Sequence, residues 1–198
     1  MKPNKIALTF LIFTCLLMGF FTVSDQINTV QNIKQNTLRF HIVANSDSNF
    51  DQTQKLKLRD FILQNTADWF ASCQTAADAK QVAAAHLDKL QQLVDSFFEN
   101  SSQSALVTLA KERFPAKVYQ LVRLPAGEYT ALKITVGSGQ GQNWWCVLFP
   151  QLCVPAAFDG DLCALYGEKG VQLITEREVT FSFKILEWLG WIADRFCA

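Results

Sequence analysis

Residues 124–153 constrain the fold more than any other stretch of the sequence. They contain two runs rich in β-branched and aromatic residues, 129–136 and 144–149, and such runs predict strands. The runs are joined by residues 137–143, a polar loop with three glycines. Two adjacent tryptophans open the second run, and they are unfavourable in water and large to bury. The stretch therefore forms either the centre of the core or a binding surface.

The composition predicts a globular chain that does not bind nucleic acid. Apolar residues make up 49% of the 198 residues and charged residues 18%, which excludes a disordered chain and provides for one domain with a core. Eighteen basic residues balance eighteen acidic ones without a basic cluster, so nucleic acid is not an expected partner. The sequence has only two histidines and no paired Cys-x-x-Cys motif, and we expect no metal and no cofactor.

The N-terminus predicts export. Residues 6–23 carry no charge and follow Lys2 and Lys5, which matches the basic and apolar regions of a signal peptide. Their length also fits an uncleaved membrane anchor, and no Ala-x-Ala cleavage site follows, so both alternatives stay open. The mass of the exported product separates them. We assign residues 1–23 to the signal peptide or anchor, 24–37 to a polar linker, and 38–198 to one folded domain.

The remaining pattern predicts an α+β fold, with a mostly antiparallel sheet packed by helices. Ser48 and Asp51 have the spacing of a capping box, so a helix should begin near Asn49. The other predicted elements are a first strand at 38–44, one helix over 76–98, extended segments at 105–110 and 118–124, a hairpin-like pair from 129–136 and 144–149, a surface loop at 154–172, and a helix, or a strand turning into one, at 178–196.

Cys146 permits three interpretations. It is a packed core residue, one half of a disulfide with Cys153, or a nucleophile that uses His41 as its base. The seven-residue separation of Cys146 and Cys153 is able to close a small loop in an exported protein. His41 lies mid-strand, where a half-buried structural role is expected, and His86 is expected at the edge of the core.

Two polar segments are candidates for binding. Residues 45–48, Asn-Ser-Asp-Ser, form most simply a strand-to-helix turn with a cap, but sites in proteins with helices and sheets often occupy such a position. Residues 137–143 form most simply a hairpin loop. They lack the Gly-Lys-Ser/Thr ending of a phosphate-binding loop, although glycine-rich backbone also binds anions.

Several segments resemble the signature elements of the stage II sporulation protein R family. LRFHIVANSDS at 38–48 is followed by KLKLRD at 55–60. LPAGEY at 124–129 and GQGQNWWCVLFP at 139–150 are similar to further signatures, and residues 178–189 are similar to the family's tail. The resemblance covers most of residues 38–190.

The resemblance implies a signalling protein without enzymatic activity. Such proteins are made in the forespore and exported into the space between its membrane and that of the mother cell, where a membrane aspartic protease senses them. That protease then processes the pro-form of the early mother-cell sigma factor. The alternatives are a secreted cysteine hydrolase that acts on peptide or peptidoglycan through Cys146 and His41, and a membrane-tethered structural module. We predict a receptor contact on these residues: Asn45, Ser46, Asp47, Ser48, Gly139, Gly141, Asn143, Trp144, Trp145 and Phe149.

Overall fold

A four-stranded sheet with helices on both faces organises the protein, whose computed structural model describes residues 5–119, 122–152 and 162–175. The predicted α+β class with a mostly antiparallel sheet is confirmed. In chain order the elements are α1 (Lys5–Gln35), β1 (Leu38–Val43), α2 (Asn49–Phe70), α3 (Ala76–Ala85), α4 (Leu87–Phe98), β2 (Ala105–Phe114), β3 (Lys117–Tyr119), β4 (Val122–Leu124), β5 (Gly127–Val136), β6 (Asn143–Phe149) and α5 (Leu162–Thr175).

Strand β1 lies inside the sheet, between β5 and β6. The sheet order is β2-β5-β1-β6, with β1 parallel to β5 and antiparallel to β6. All six residues of β1 are buried, and a strand buried on both faces is most stable with a neighbour on each side. The predicted hairpin of 129–136 with 144–149 is therefore wrong in its pairing, because β1 separates the two strands. Strands β3 and β4 form a separate antiparallel pair.

Helices α2, α3 and α4 cover one face of the sheet. The core on this face combines Phe40 and Ile42 of β1 with Leu58 of α2 and Val94 of α4. The predicted single helix over 76–98 is instead two helices that meet at His86. The backbone of His86 leaves the helical conformation (φ −103°, ψ 11°), and its ring stacks on Trp69 with 4.7 Å between the ring centroids.

The opposite face is covered at one end by α5, the β3–β4 pair and the C-terminal end of α1. Ile33 of α1 is fully buried there, together with Tyr166 and Ile174 of α5. Residues 24–35, predicted as a linker, are helical, because Ile33 has a place in this second core. Residues 162–172 of the predicted surface loop are also mostly helical, with a break at Gly167 (φ 73°, ψ 165°). Residues 154–161 of that loop and the predicted element at 178–196 lie outside the described residues.

The N-terminal part of α1 has an apolar and exposed surface. The helix from Thr9 to Gln35 is long and apolar enough to cross a membrane. Phe10, Met18 and Phe20 are each about two thirds exposed. Large side chains with this exposure are unfavourable in water, so the segment is compatible with the predicted export role.

The buried guanidinium of Arg39 lies on the second face of the sheet among aromatic rings. Its carbon is 4.3 Å from the ring centroid of Phe114 and 4.9 Å from that of Tyr129. Its Nη2 atom donates a hydrogen bond of 2.8 Å to the hydroxyl of Tyr119. Nε and Nη1 have no hydrogen-bond partner within the described ranges. Burial lowers the pKa of Arg39, while the neighbouring tyrosines raise it. The rings stabilise the cation through their π faces, but they do not replace hydrogen-bond acceptors for these two nitrogens.

We expect Arg39→Met to leave the free energy of unfolding unchanged or to raise it by up to about 3 kcal/mol, because an incompletely paired buried charge is replaced by an apolar chain of similar length. Arg39→Ala should lower it by about 2–4 kcal/mol, since a cavity forms between the rings. Urea denaturation followed by tryptophan fluorescence measures both. A methionine variant as unstable as the alanine variant would show that the charge itself stabilises the fold.

Candidate partner-binding site

The two segments predicted separately as binding candidates contact each other at one edge of the sheet. Residues 45–48 follow β1, and residues 137–143 connect β5 to β6, passing over the end of β1. The backbone N–H of Gly141 donates to the carbonyl of Ala44 (2.9 Å), and that of Gln142 donates to Oδ1 of Asp47 (2.7 Å). We call this pair of segments the interlocked loops.

Asn45 makes the largest number of contacts between the interlocked loops. Its Oδ1 atom accepts hydrogen bonds from the backbone N–H of Ser138 (2.9 Å) and from the Ser138 hydroxyl (3.1 Å). Its Nδ2 atom donates to Oδ2 of Asp51 at the start of α2 (2.9 Å). One amide side chain therefore joins the glycine loop to the first turn of the helix.

The carboxylate of Asp51 lies beneath the interlocked loops and is 7% exposed. It accepts hydrogen bonds from the Ser46 hydroxyl (2.6 Å) and from Nε2 of Gln103, which precedes β2 (2.6 Å). These bonds, with that of Asn45, lower the pKa of Asp51. The predicted capping box forms only in part: Ser48 accepts from the Asp51 backbone N–H (3.1 Å), but the Asp51 carboxylate turns inward. Asp51 thus joins three segments, which the sequence did not predict.

Lys55, one turn further along α2, fixes the glycine loop from below. It is 5% exposed, and its Nζ donates to the carbonyl of Gln142 (2.9 Å) and to Oε1 of Gln52 (2.5 Å). Burial lowers the pKa of Lys55, and the charge of Asp47 opposes this shift. Sequence reasoning placed Lys55 only in a family motif. The available signal was its spacing of four residues from Asp51, which puts both on one helix face.

The remaining predicted contact residues do not form one surface with the interlocked loops. Trp144 faces the helices, where its ring meets Phe40 edge-to-face (5.7 Å between centroids). Trp145 faces the opposite side of the sheet and stacks on His41 at 4.9 Å. Because successive residues of a strand point to opposite faces, the two tryptophans cannot contact one flat partner together. Phe149 is 6% exposed at the far end of β6, so it is not an accessible contact residue.

The proposed pair of Cys146 and His41 is not brought together. Cys146 lies opposite Phe40 and packs in the helix-side core, whereas His41 projects from the other face. Cys146 is 3% exposed and disulfide-bonded, so its sulfur is not a nucleophile. A disulfide at Cys146 agrees with one of the three interpretations. Cys153 lies outside the described residues, and its pairing with Cys146 stays a prediction.

His41 is more deeply buried than predicted, at 3% exposure. Neither ring nitrogen has a hydrogen-bond partner with good geometry in the described part of the chain. Burial, reinforced by the charge of Lys133, lowers the pKa of His41 to about 4, so the ring is neutral at physiological pH. Asn143, predicted as a contact residue, lies close enough to favour the charged form of the ring. Residues 5–119, 122–152 and 162–175 contain no group of three metal-ligating side chains.

Comparison with known proteins places these features in a family. A sequence model described as stage II sporulation protein R matches residues 34–158. The chain belongs to the stage II sporulation protein R family. Stage II sporulation protein R of Bacillus subtilis (strain 168) is 36% identical over 149 residues. The alignment covers 73% of this chain and 66% of that relative, just under two thirds of its length. No solved structure matches the chain.

The interlocked loops lie within the residues that the family model matches. Substitution of Gly141 tests the contact between the two loops. A β-carbon at residue 141 would collide with the backbone carbonyl of Ser46. We expect Gly141→Ala to lower the free energy of unfolding by about 1–3 kcal/mol, because backbone must shift to relieve the overlap. Amide hydrogen exchange in residues 44–48 and 137–143 should accelerate. Gln140→Ala, at an exposed side chain of the same loop, should change neither quantity. Unchanged stability and exchange in Gly141→Ala would contradict this contact.

His41 should make the stability of the protein depend on pH between about 6.5 and 4. In this window the unfolded chain binds a proton that the folded protein excludes, so stability falls as the pH falls. The full loss is on the order of 3 kcal/mol. We expect His41→Gln to remove this component, because glutamine does not titrate. The carboxylate of Asp51 contributes at lower pH, since its lowered pKa makes its stabilisation disappear only on further acidification. If the free energy of unfolding falls equally with pH in wild type and in His41→Gln over this window, the assignment to His41 is contradicted.

Proposed function

We propose that this chain is an exported signalling protein of sporulation that activates a membrane aspartic protease of the mother cell. The protease then processes the pro-form of the early mother-cell sigma factor. The sporulation role follows from family membership, over residues 34–158 and at 36% identity to the Bacillus subtilis protein. The protease and the sigma factor are the partners that the family resemblance implies.

The apolar surface of α1 supports export of the domain from the forespore into the space between the two membranes. The segment is long and apolar enough to enter a membrane, and the folded domain begins directly behind it. The helix has a length and composition that fit both a cleaved signal peptide and a retained membrane anchor. In both cases the domain with the interlocked loops is placed outside the forespore membrane, which is where a receptor of the mother cell is reached.

The interlocked loops are the receptor contact that we propose. The hydrogen bonds of Asn45, Asp51 and Lys55 hold both loops before binding, so less conformational entropy is lost on contact. Beside them, Phe50 in the first turn of α2 is 63% exposed and offers an aromatic anchor. A ligand of this kind activates a receptor by binding its active form more tightly than its inactive form, which shifts the population.

A signalling role also agrees with the chemistry of the sheet. The hydrolase alternative depended on Cys146 and His41, which lie on opposite faces, and the sulfur of Cys146 is held in a disulfide. A stable domain with a preformed polar surface satisfies what a signal requires. This observation favours the signalling protein over the hydrolase.

Co-expression in a host that does not sporulate tests the proposal. The host carries the membrane protease and the pro-sigma factor, with or without this chain fused to an export signal. We expect processing only when the exported chain is present. Absence of processing, with all three proteins present and folded, would contradict the proposed function.

Phe50 tests the contact surface within the same assay. We expect Phe50→Ser to lower processing about tenfold or more, because an anchoring aromatic side chain contributes about 2 kcal/mol to binding. Val118→Ser is the matched control: Val118 is 65% exposed in β3, near the opposite end of the sheet. This variant should support processing of the pro-sigma factor at the wild-type level. Equal processing by both variants, at equal export, would remove Phe50 and its surroundings from the contact.

A further inference from the structure

The outer edge of β2 carries backbone groups that no strand among the described residues satisfies. β2 is ten residues long, and within the described part of the chain it pairs only with β5. In an antiparallel pair the N–H and C=O of one residue point to the same side, and the side alternates from residue to residue. Every second residue of β2 therefore directs both groups away from the sheet.

Gln91 of α4 identifies which residues these are. Its Oε1 atom accepts a hydrogen bond from the backbone N–H of Val107 (2.8 Å), and its Nε2 atom donates to the carbonyl of Ala105 (2.9 Å). The register between β2 and β5 is continuous, so the outward set continues through Leu109, Lys111 and Arg113. The amide of Gln91 acts as a peptide group would in an added strand. It covers only the first part of the edge.

Residues 109–113 form the open part of the edge. The outward backbone groups here have no hydrogen-bond partner among the described residues. Lys111 and Arg113 are exposed on the same side of β2 as Val107, the side that α2, α3 and α4 cover. Glu128 of β5 lies opposite Arg113 and 3.4 Å from Lys111, and the side chains of this ion pair are mostly solvated. On the opposite side, Ala110 is exposed, and Glu112 is half-buried in an ion pair with Lys133 (3.1 Å).

We propose that residues 109–113 bind an extended segment of a partner protein, which adds to the sheet as a fifth strand beside β2. Backbone hydrogen bonds to the outward groups would provide the affinity, as in other cases of strand addition. Alternation within the added strand sets its chemistry. Side chains on one face meet Lys111 and Arg113 and should be acidic, and those on the other meet Ala110 and the ion pair of Glu112 with Lys133 and should be uncharged.

A second copy of this chain fits the edge less well. Two β2 strands paired antiparallel around Glu112 would place Lys111 of each copy opposite Arg113 of the other. Like charges directly opposite in a sheet are destabilising. The charge of the edge therefore favours an acidic segment of a different protein.

Hydrogen exchange of the full chain in detergent micelles tests the proposal directly. The probe is a capped hexapeptide of alternating glutamate and valine. We expect it to slow exchange of the backbone amides of Leu109, Lys111 and Arg113 at least about tenfold at saturation. One control peptide replaces glutamate by lysine, and the other carries N-methyl groups along one edge. Both should give no slowing. Absence of slowing by the first peptide, or equal slowing by the N-methylated one, would overturn the proposal.

Two substitutions at one residue separate the backbone group from the charge. Lys111→Pro removes an outward N–H at an edge position, where proline is tolerated in sheets. Lys111→Ala retains the N–H and removes the charge. We expect the peptide to lose at least about tenfold in affinity with proline and only a few-fold with alanine, provided that circular dichroism matches the wild type. If Lys111→Pro does not fold, Arg113→Pro tests the next outward N–H. Equal affinities of the peptide for the folded proline and alanine variants would overturn the proposal. Dimers of this chain that Lys111→Glu makes more stable would also overturn it, because a second copy would then occupy the edge.

Discussion

Strand β1 requires hydrogen-bond partners on both of its edges, and much of the remaining structure follows from this requirement. All six of its residues are buried, so an unpaired backbone group in this strand would lose its water without replacement. β5 supplies the parallel partner and β6 the antiparallel one. The chain between β5 and β6 must then pass over the end of β1. That passage brings residues 137–143 against residues 45–48, and the candidate site is a consequence of how β1 is paired.

Buried polar groups have different partners on the two faces of the sheet. Under the interlocked loops, Asp51 and Lys55 have hydrogen-bond partners, so their burial costs little. On the second face, Arg39 and His41 meet mainly aromatic rings, which offer π faces in place of lone pairs. Nε and Nη1 of Arg39 find no hydrogen-bond partner among the described residues, and His41 is stable there only when neutral. The first arrangement fixes a surface, and the second makes the fold sensitive to acid and to substitution.

Local signals in the sequence predicted the elements better than their arrangement. Alternation identified β1, and Ser48 marked the start of α2, because both signals lie within a few residues. The pairing of β5 and β6 with β1 depends on partners roughly ninety or more residues away, which no local pattern encodes. The alanine-rich run before His86 has high helix propensity throughout, so the break there had no local sign.

The candidate site was predicted residue by residue but not as an assembly. Both loops were recognised from their polar and glycine-rich composition, whereas their contact arises from the parallel neighbours β1 and β5. Trp144 and Trp145 were grouped because they are adjacent, although the period of two in a strand already separates their faces. Asp51 was recognised as part of a helix cap. Its inward turn is supported by Asn45 and Ser46, which are near in the sequence, and by Gln103, a partner fifty-two residues later that no local pattern predicts.

Helix α1 joins the apolar segment to the folded domain without a flexible connection. It is helical from residue 5 to residue 35, and Ile33 is packed against α5 and the sheet. A helix rises 1.5 Å per residue, so only about 15 Å separate Val23 from Ile33. For as long as the apolar segment stays in a bilayer, the domain is a rigid projection at the membrane surface. In the function proposed above, the domain then searches for its receptor by lateral diffusion, and the spacing of the two facing membranes decides whether the interlocked loops reach it. Removal of the segment replaces this search in two dimensions by one in three.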